Sequence, residues 1–231
     1  MKVDIGIIGA LSAEVDGIIE LLENHTTESF GSIRFHIGLI MNKRVVVAQC
    51  GVGKVFAAIC AEAMILKYSP SIIVNSGVGG AISPELSTGD MVIADRLCQH
   101  DMDTSALGDP KGLVSGINKV FFDSDLRAVQ ILKDAAKLYS YRTVVGTVAS
   151  GDKFVASTED KKRLACDFGA VACEMEGAAV AQTAFVNKTQ FVVVRAISDS
   201  ADGNATMDYP TFMPIAAKNS IALTLALIER Y

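Results

Sequence analysis

Short apolar segments alternate along this chain with longer segments whose apolar residues recur every three or four positions. The short segments are rich in β-branched residues and predict strands, and the longer ones predict helices. The predicted strands are Val3–Ala10, Arg34–Met41, Arg44–Cys50, Ile72–Val74, one that starts at Gly89–Asp95 and continues toward Gln99, Thr143–Ala149, Ala170–Cys173 and Phe191–Val194. The predicted helices are Ser12–Leu22, Val55–Lys67, Ser124–Tyr139, Thr158–Asp167, Gly177–Val186 and Tyr209–Tyr231. This alternation is typical of an α/β fold, and 231 residues require no more than one domain, 1–231.

The most informative stretch is Val192–Asp202, where an apolar strand runs into Arg195, Ser198 and Asp199. Its β-branched residues do not alternate with polar ones, which suits a parallel strand covered on both faces. Ligands of open α/β sheets bind beyond the carboxyl ends of the strands, so this end is a candidate site. The alternative for this segment alone is a helix cap at Asp199 and a surface ion pair at Arg195. The polar residues that follow favour a loop over an immediate helix.

Three apolar strands each end in carboxylates. Glu14 follows the first strand, Glu174 and Glu176 follow a short later one, and Asp199 follows the last. Taken alone, Glu14 could serve only as a favourable charge at a helix N-terminus. Carboxylates gathered in a partly dry pocket raise one another's pKa, so one can act as an acid while another acts as a base. Cleavage of a glycosidic bond uses that division of roles.

Two glycine-rich turns resemble parts of nucleotide-binding motifs. The turn at 51–54 lacks the first glycine and the final Ser or Thr of a phosphate loop. Gly77 and Gly79 resemble part of a dinucleotide fingerprint, but Ile82 replaces its third glycine and a loop follows where that motif requires a helix. These glycines therefore predict a close approach of the backbone, either to a ligand or to a neighbouring strand.

Composition narrows the class of protein. The net charge is −5 and no basic cluster is present, which argues against a nucleic-acid partner. The N-terminus does not look like a signal peptide and no apolar run approaches 18 residues, so we expect a cytoplasmic protein that is not in the membrane. The five cysteines and three histidines show no metal-ligand spacing, so we expect buried thiols and no metal. A small-molecule ligand remains the natural partner.

Seven segments resemble the 5′-methylthioadenosine/S-adenosylhomocysteine nucleosidases of the nucleoside phosphorylase superfamily. They are G-I-I-G-A-L-S-A-E (6–14), C-G-V-G-K-V (50–55), N-S-G-V-G-G (75–80), H-D-M-D (100–103), S-G-D-K-F-V (150–155), E-M-E-G (174–177) and R-A-I-S-D (195–199). Their order is that of the family, so the resemblance covers essentially the whole chain. It implies a three-layer α/β/α sandwich around a mixed, partly barrel-like sheet. It also implies a homodimer, a place in methionine salvage and irreversible hydrolysis of the N-glycosidic bond of 5′-thio-substituted adenosines, with no cofactor.

The resemblance also implies roles for individual residues. Asp199, held by Ser198, would protonate purine N7, and Glu14, with Arg195 nearby, would activate the attacking water. Met175 and Glu176 would bind ribose, while Phe154 would stack on adenine and the backbone of Val155 would contact the purine edge; position alone leaves Phe154 equally suited to the core. The remaining positions of the implied substrate site are Leu11, Val52, Val78, Gly79, Glu174 and Phe212, with Thr104 and Leu107 contributed across the dimer interface.

Three other functions stay open. The first is hydrolysis of 6-amino-6-deoxyfutalosine. The loop after Asp103 is short, as in family members that act on this nucleoside, and Val78 stands where many members have Ser. A phosphate-dependent purine nucleoside or methylthioadenosine phosphorylase is the second, although Asn75-Ser76 stands where those enzymes usually have an Arg for phosphate. The third is a nucleoside-binding protein without activity, which predicts the loss of a catalytic carboxylate that this chain retains.

Overall fold

The structure is a computed structural model that describes residues 2–199 and 205–231, with the side chains of 205–209 left out. The strands are β1 (Ile5–Gly9), β2 (Glu23–Phe30), β3 (Ile33–Ile40), β4 (Lys43–Gln49), β5 (Ile72–Ala81), β6 (Met91–Gln99), β7 (Phe122–Asp123), β8 (Thr143–Ser150), β9 (Ala170–Glu174) and β10 (Gln190–Asp199). The helices are α1 (Ser12–Ile19), α2 (Lys54–Tyr68), α3 (Leu126–Ala136), α4 (Thr158–Phe168), α5 (Gly177–Val186) and α6 (Ala205–Arg230).

One mixed sheet carries the whole fold. Its strands lie in the order β10-β6-β8-β9-β5-β1-β4-β3-β2, and β10 also pairs with β5. That second pairing closes five strands, β5, β10, β6, β8 and β9, into a barrel, from which β1, β4, β3 and β2 extend as an open sheet. Strands β1, β5 and β10 are parallel neighbours, so their carboxyl ends meet at one edge.

Helices cover both faces of the sheet. Helices α2 and α5 pack in one apolar layer, with Met64 and Val180 fully buried. Helices α1, α3 and α6 pack in the other layer, where Ile18, Leu132 and Leu227 are fully buried. The strands between these layers, such as β5, are buried along their whole length, which explains their continuous apolar runs. The predicted three-layer fold with a partly barrel-like sheet is confirmed.

The sequence prediction differs from the structure in several places, and the two-residue strand β7 was not predicted. The strand predicted at Ile72–Val74 continues through the glycines to Ala81, because these residues pair with β10 and β9. The strand predicted to end at Val194 likewise continues to Asp199. Strand β2 was missed, since its residues are all exposed and polar enough to resemble a loop. Helix α1 was predicted to run from Ser12 to Leu22, but it ends at Ile19. The loop predicted at 200–204 lies outside the described residues.

Helix α6 accounts for the longest apolar stretch in the described part of the chain. Residues 210–230 are long and apolar enough to cross a membrane by length and composition alone. The helix nevertheless packs against α1, α3, β5 and β10, with Leu223 and Leu227 fully buried. Its apolar character is therefore explained by its place in the core.

Candidate active site

A cavity opens where β1, β5, β8, β9 and β10 end, with a volume of about 560 Å³ that includes space open to solvent. That size suits a small organic ligand. The lining residues are Ala10, Leu11, Glu14, Val52, Val78, Gly79, Gly80, Lys153, Phe154, Val155, Cys173, Glu174, Met175, Glu176, Ser198 and Asp199. Twelve of the sixteen residues predicted for the site therefore lie around a single cavity.

Glu14 is fixed by backbone donors on both of its oxygens. Oε2 accepts hydrogen bonds from the amides of Ala10 at 2.7 Å and Leu11 at 3.0 Å, and Oε1 accepts one from the amide of Val78 at 2.9 Å. The residue is 3 % exposed although it lines the cavity. Three N–H donors stabilise the carboxylate form and hold it in one orientation. The position of Glu14 in the first turn of α1 thus serves the cavity as well as the helix.

Asp199 lies at the last residue of β10 and is 2 % exposed. The hydroxyl of Ser198 is 2.9 Å from Oδ1 and also 3.3 Å from the carbonyl oxygen of Gly79. Lys161 Nζ lies 3.5 Å from Oδ2, and its side chain is 2 % exposed. The carboxylate is therefore neither a surface charge nor a simple helix cap, because a hydroxyl and an ammonium flank it inside the protein.

A buried ion pair lies beneath the cavity. Arg195 donates to Glu174 Oε2 from Nη2 and also from Nε, and the hydrogen bond from Nε is 3.2 Å long. Nη2 also donates to Asn75 Oδ1 at 2.5 Å. Glu174 further accepts from Ser150 and from the amides of Glu176 at 3.0 Å and Gly177 at 2.7 Å. The surface ion pair considered for Arg195 is therefore wrong, since its side chain is 2 % exposed. Arg195 itself does not line the cavity.

Glu176 is the cavity carboxylate whose acidity is most changed. Burial and the charge of Glu174 raise the pKa of Glu176 to about 7, although Arg195 and a hydrogen bond from the Gly53 amide at 2.7 Å oppose the shift. Burial also raises the pKa of Glu174, but the Arg195 guanidinium and the Ser150 hydroxyl more than offset it, so that pKa is lowered overall. Their different partners thus favour the ionised form of Glu174 and make Glu176 easier to protonate.

The glycines of β5 make room for these side chains. A Cβ on Gly77 would lie 2.5 Å from Arg195 Nη1 and 2.6 Å from Glu14 Oε1. A Cβ on Gly80 would lie 2.7 Å from Asp199 Oδ2. All three distances are shorter than a non-bonded carbon–oxygen or carbon–nitrogen contact allows. The close approach predicted from the glycines is therefore to side chains of the site and to the neighbouring strands.

An apolar wall faces the carboxylates. Phe154 lines the mouth of the cavity with 45 % of its surface exposed, and Val155 beside it is buried. Met175 and Val52 complete that wall. An exposed aromatic ring at a cavity mouth is suited to stacking on a planar ligand, and it contributes little to the core. The cavity thus combines an aromatic platform with four carboxylates, Glu14, Glu174, Glu176 and Asp199.

Three predicted residues lie away from the cavity besides Arg195. Phe212 is partly buried in α6 and is not among the lining residues. Thr104 donates to Asp109 Oδ2 at 2.8 Å in the loop after β6, and Leu107 in the same loop is 83 % exposed. Within one protomer the latter two contact no part of the cavity lining, so their roles depend on the predicted partner subunit and stay predictions.

Sequence reasoning missed two side chains that face the acid. Lys161 lies in a row of three cations, Lys161-Lys162-Arg163, whose pattern suggests a solvated helix face. Cys173 lines the cavity, and burial, followed by the charge of Asp199, raises the pKa of its thiol to about 12. A period-based count on α4 would have found Lys161, since it aligns with the buried Leu164 and Phe168.

Comparison with known proteins agrees with the geometry. Residues 4–229 match the model of the phosphorylase superfamily. A 5′-methylthioadenosine/S-adenosylhomocysteine nucleosidase of Haemophilus influenzae is 37 % identical over 227 residues, covering 98 % of this chain and 99 % of its own. The enzyme of that name from Neisseria meningitidis, solved with methylthio-immucillin-A, superposes with a TM-score of 0.95 at 33 % identity, covering 99 % of both chains.

A third relative differs in name. The native structure of a futalosine hydrolase of Helicobacter pylori superposes with a TM-score of 0.94 at 33 % identity, covering 99 % of this chain and 98 % of that one. The two names thus occur at similar structural distance from this chain. With identity above 30 % over nearly the whole length, the chain belongs to the phosphorylase superfamily and, within it, to the family of 5′-methylthioadenosine/S-adenosylhomocysteine nucleosidases, which are N-glycosyl hydrolases.

Proposed function

We propose that the protein hydrolyses 5′-methylthioadenosine and S-adenosylhomocysteine to adenine and the corresponding thioribose. The observation that carries the proposal is the meeting of Glu14, Glu176 and Asp199 around one cavity that an aromatic side chain borders. Family membership gives the reaction class. The cavity supplies an acid, a base and a ribose acceptor within that class.

In the proposed reaction Asp199 donates a proton to purine N7. Adenine is a poor leaving group until this nitrogen is protonated, so proton transfer assists cleavage of the C1′–N9 bond. Ser198 holds the carboxylate through Oδ1, which fixes the direction of the donated proton. The electron pair of the broken bond remains on the purine, and the sugar develops the charge of an oxocarbenium ion.

Glu14 is the proposed base for the attacking water. Its three backbone donors hold the carboxylate at the edge where β1 and β5 end, so it needs no rearrangement before it accepts a proton. Its negative charge also stabilises the positive sugar. The resemblance implies that Arg195 helps to position this water. Because its guanidinium is hydrogen-bonded to Glu174 and Asn75, we propose that Arg195 acts by orienting Glu174.

Glu176 is the proposed acceptor for the ribose hydroxyls, with Met175 packing against the sugar. Phe154 is proposed to stack on adenine at the cavity mouth, and the backbone of Val155 to bond the purine edge. Leu11, Val52, Val78 and Gly79 then form the remaining walls. These assignments rest on the lining of the cavity and on the resemblance.

Adenine release is the decisive measurement. Purified protein would be assayed with 5′-methylthioadenosine, S-adenosylhomocysteine, 5′-deoxyadenosine and 6-amino-6-deoxyfutalosine, each with and without inorganic phosphate. We expect adenine release from the first two without phosphate. Release that requires phosphate would support a phosphorylase instead, and release from aminofutalosine alone would support the function named for the Helicobacter pylori relative.

The phosphorylase alternative is the less consistent with the site. A phosphate dianion requires cations or several N–H donors. Among the cavity-lining residues in the described ranges, Lys153 is the single cation, and it pairs with Asp160 at 2.7 Å. This arrangement favours water over phosphate as the nucleophile.

A homodimer is the proposed assembly. Helix α2 and the preceding loop expose Val52, Val55, Phe56 and Ile59, each more than 45 % accessible, and Leu107 is also exposed. Apolar surface of this kind is typical of a protein interface. Burial of this surface in a dimer would give Thr104 and Leu107 a place beside the partner's cavity. We also propose a cytoplasmic location, as expected from the sequence, and a role in methionine salvage, as the resemblance implies.

A further inference from the structure

Lys161 is the one charged residue of α4 that is turned fully inward. Its side chain is 2 % exposed, whereas the adjacent Lys162 and Arg163 are exposed and Arg163 pairs with Asp160 at 3.0 Å. A buried ammonium is costly unless an opposite charge and hydrogen bonds compensate it. Asp199 Oδ2, 3.5 Å away, is an opposite charge that lies at the cavity.

The two oxygens of the Asp199 carboxylate have different neighbours. Oδ1 is within hydrogen-bond distance of Ser198, while Oδ2 lies toward Lys161 and packs close to Gly80. These contacts come from β5, β10 and α4, so rotation of the carboxylate is restricted from three elements. The Cys173 thiol also lies near Asp199, and burial keeps this thiol neutral by raising its pKa to about 12.

We propose that Lys161 is a positioning residue that promotes proton transfer from Asp199 to the purine. This inference rests on the proposed function. Asp199 first takes up a proton from solvent. In the step, its O–H bond breaks, an N7–H bond forms and the electron pair of C1′–N9 passes to the purine, while the attacking water gives its proton to Glu14 and its oxygen to C1′. Asp199 is left as a carboxylate, and the Lys161 ammonium stabilises that new negative charge inside the protein. A buried countercharge favours the products of the proton transfer.

The inference predicts dependence on the leaving group. Adenine must be protonated to depart, whereas p-nitrophenolate departs without an acid. Loss of Lys161 should therefore slow hydrolysis of 5′-methylthioadenosine much more than hydrolysis of p-nitrophenyl 5-methylthioriboside. A residue that merely supports the fold would affect both substrates equally.

The test compares Lys161→Met and Lys161→Arg with the wild type on both substrates, with Lys162→Met as the exposed control on the same helix. For Lys161→Met we expect kcat for 5′-methylthioadenosine to fall roughly tenfold or more, a part of the ~10²–10⁴ that general acid catalysis supplies. KM for that substrate, and kcat for the nitrophenyl riboside, should change less than about threefold. Lys161→Arg should recover most of the rate, and Lys162→Met should match the wild type.

A double-mutant cycle makes the test specific to Asp199. In an Asp199→Asn background no proton is donated, so adding Lys161→Met should change kcat less than about threefold. Equal losses on the two substrates, or additive effects in the cycle, would overturn the inference. If Lys161→Met does not fold by circular dichroism, Lys161→Gln serves in its place. A wild type that releases no adenine would count against the proposed function, whereas an active wild type with an unaffected Lys161 variant would count against this inference alone.

Discussion

At the scale of single residues, the site works by giving similar side chains different partners. All four acids of the site have different partners. Glu14 accepts from backbone amides and Glu174 from an arginine. Glu176 accepts from one amide, and Asp199 lies beside a hydroxyl and an ammonium. Partners of this kind decide which acid stays ionised and which can carry a proton. The chemistry therefore depends on neighbours that lie far away in the sequence.

Replacement of Asp199 by Asn should abolish most of the activity and keep the substrate bound. The amide has the shape of the acid but no proton to give, so we expect kcat for 5′-methylthioadenosine to fall by about 10²–10⁴. Steady-state kinetics would measure the fall, and calorimetric titration with the substrate would measure binding. A variant with near-normal kcat would remove Asp199 from the role of acid.

Glu176 should make stability depend on pH. Its pKa is about 7 in the folded protein, above the ordinary value of 4.5. An acid with a raised folded pKa contributes stability below its unfolded pKa, and this contribution is lost as pH rises through the folded pKa. Glu176→Gln removes the charge, so the melting temperature of the variant relative to the wild type should rise between pH 5 and pH 8. The change corresponds to a free energy on the order of 1–3 kcal/mol.

The control for that measurement is Glu85→Gln, which removes an exposed acid that pairs with Arg142 away from the cavity and is measured across the same pH range. A Glu176→Gln difference that is constant with pH would contradict the raised pKa.

At the scale of elements, β5 connects the parts of the site. It pairs with β1 and β10 in parallel and with β9 in antiparallel orientation. Asp199 and Glu174 therefore lie on its direct neighbours, and Glu14 lies in α1, which follows β1. The glycines of β5 let these side chains cross the strand at short range. A strand with side chains at those positions would force the carboxylates apart.

Gly77→Ala should therefore damage both stability and activity. Its Cβ would collide with Arg195 Nη1 and Glu14 Oε1, at the distances given above, and neither group can move without breaking buried hydrogen bonds. We expect a loss of about 1–3 kcal/mol in the free energy of unfolding, as for other overpacked cores, with a large fall in kcat. Urea denaturation and adenine release would measure the two effects.

Gly17→Ala is the matched control for this change. Gly17 lies within α1, and its added Cβ would meet only the terminal methyl of Ile221 at 3.3 Å. Alanine has a higher helix propensity than glycine, so this variant should be at least as stable as the wild type. Equal tolerance of alanine at both glycines would show that the strand has more room than the structure indicates.

Elements that obey a strong hydrophobic period were predictable, and those set by tertiary contacts were not. Helix α5 was predicted with its observed bounds because Gly177–Val186 is mostly apolar and rich in alanine. The extension of β5 to Ala81 could not be predicted, since glycine disfavours strands and only pairing with β10 and β9 holds it there. The convergence of the carboxylates was predictable from strand ends. The pairing of Lys161 with Asp199 and that of Arg195 with Glu174 were not, because both depend on packing between distant segments.

At the scale of the whole molecule, the two helical layers present different surfaces. Helix α2 exposes Val55 and Phe56 beside Ile59, and its opposite side packs on α5 and β1. Exposed apolar residues on α3, such as Leu126, stand alone. A contiguous apolar stripe costs solubility unless a partner covers it, whereas isolated residues need no explanation. The stripe on α2 is the surface that we expect to form the dimer.

Ile59→Glu should separate that dimer into monomers, because the carboxylate would be buried in an apolar interface without a countercharge. Size-exclusion chromatography with light scattering would measure the mass, which we expect to fall to the monomer value of 24.4 kDa. If Leu107 of one protomer borders the cavity of the other, the same variant should also raise KM for 5′-methylthioadenosine, with the effect reduced at high protein concentration. Leu126→Glu on the opposite layer controls for the added charge and should remain dimeric with normal KM. A wild type that is already monomeric would refute the dimer, and a monomeric but fully active variant would show that each cavity is complete within a single chain.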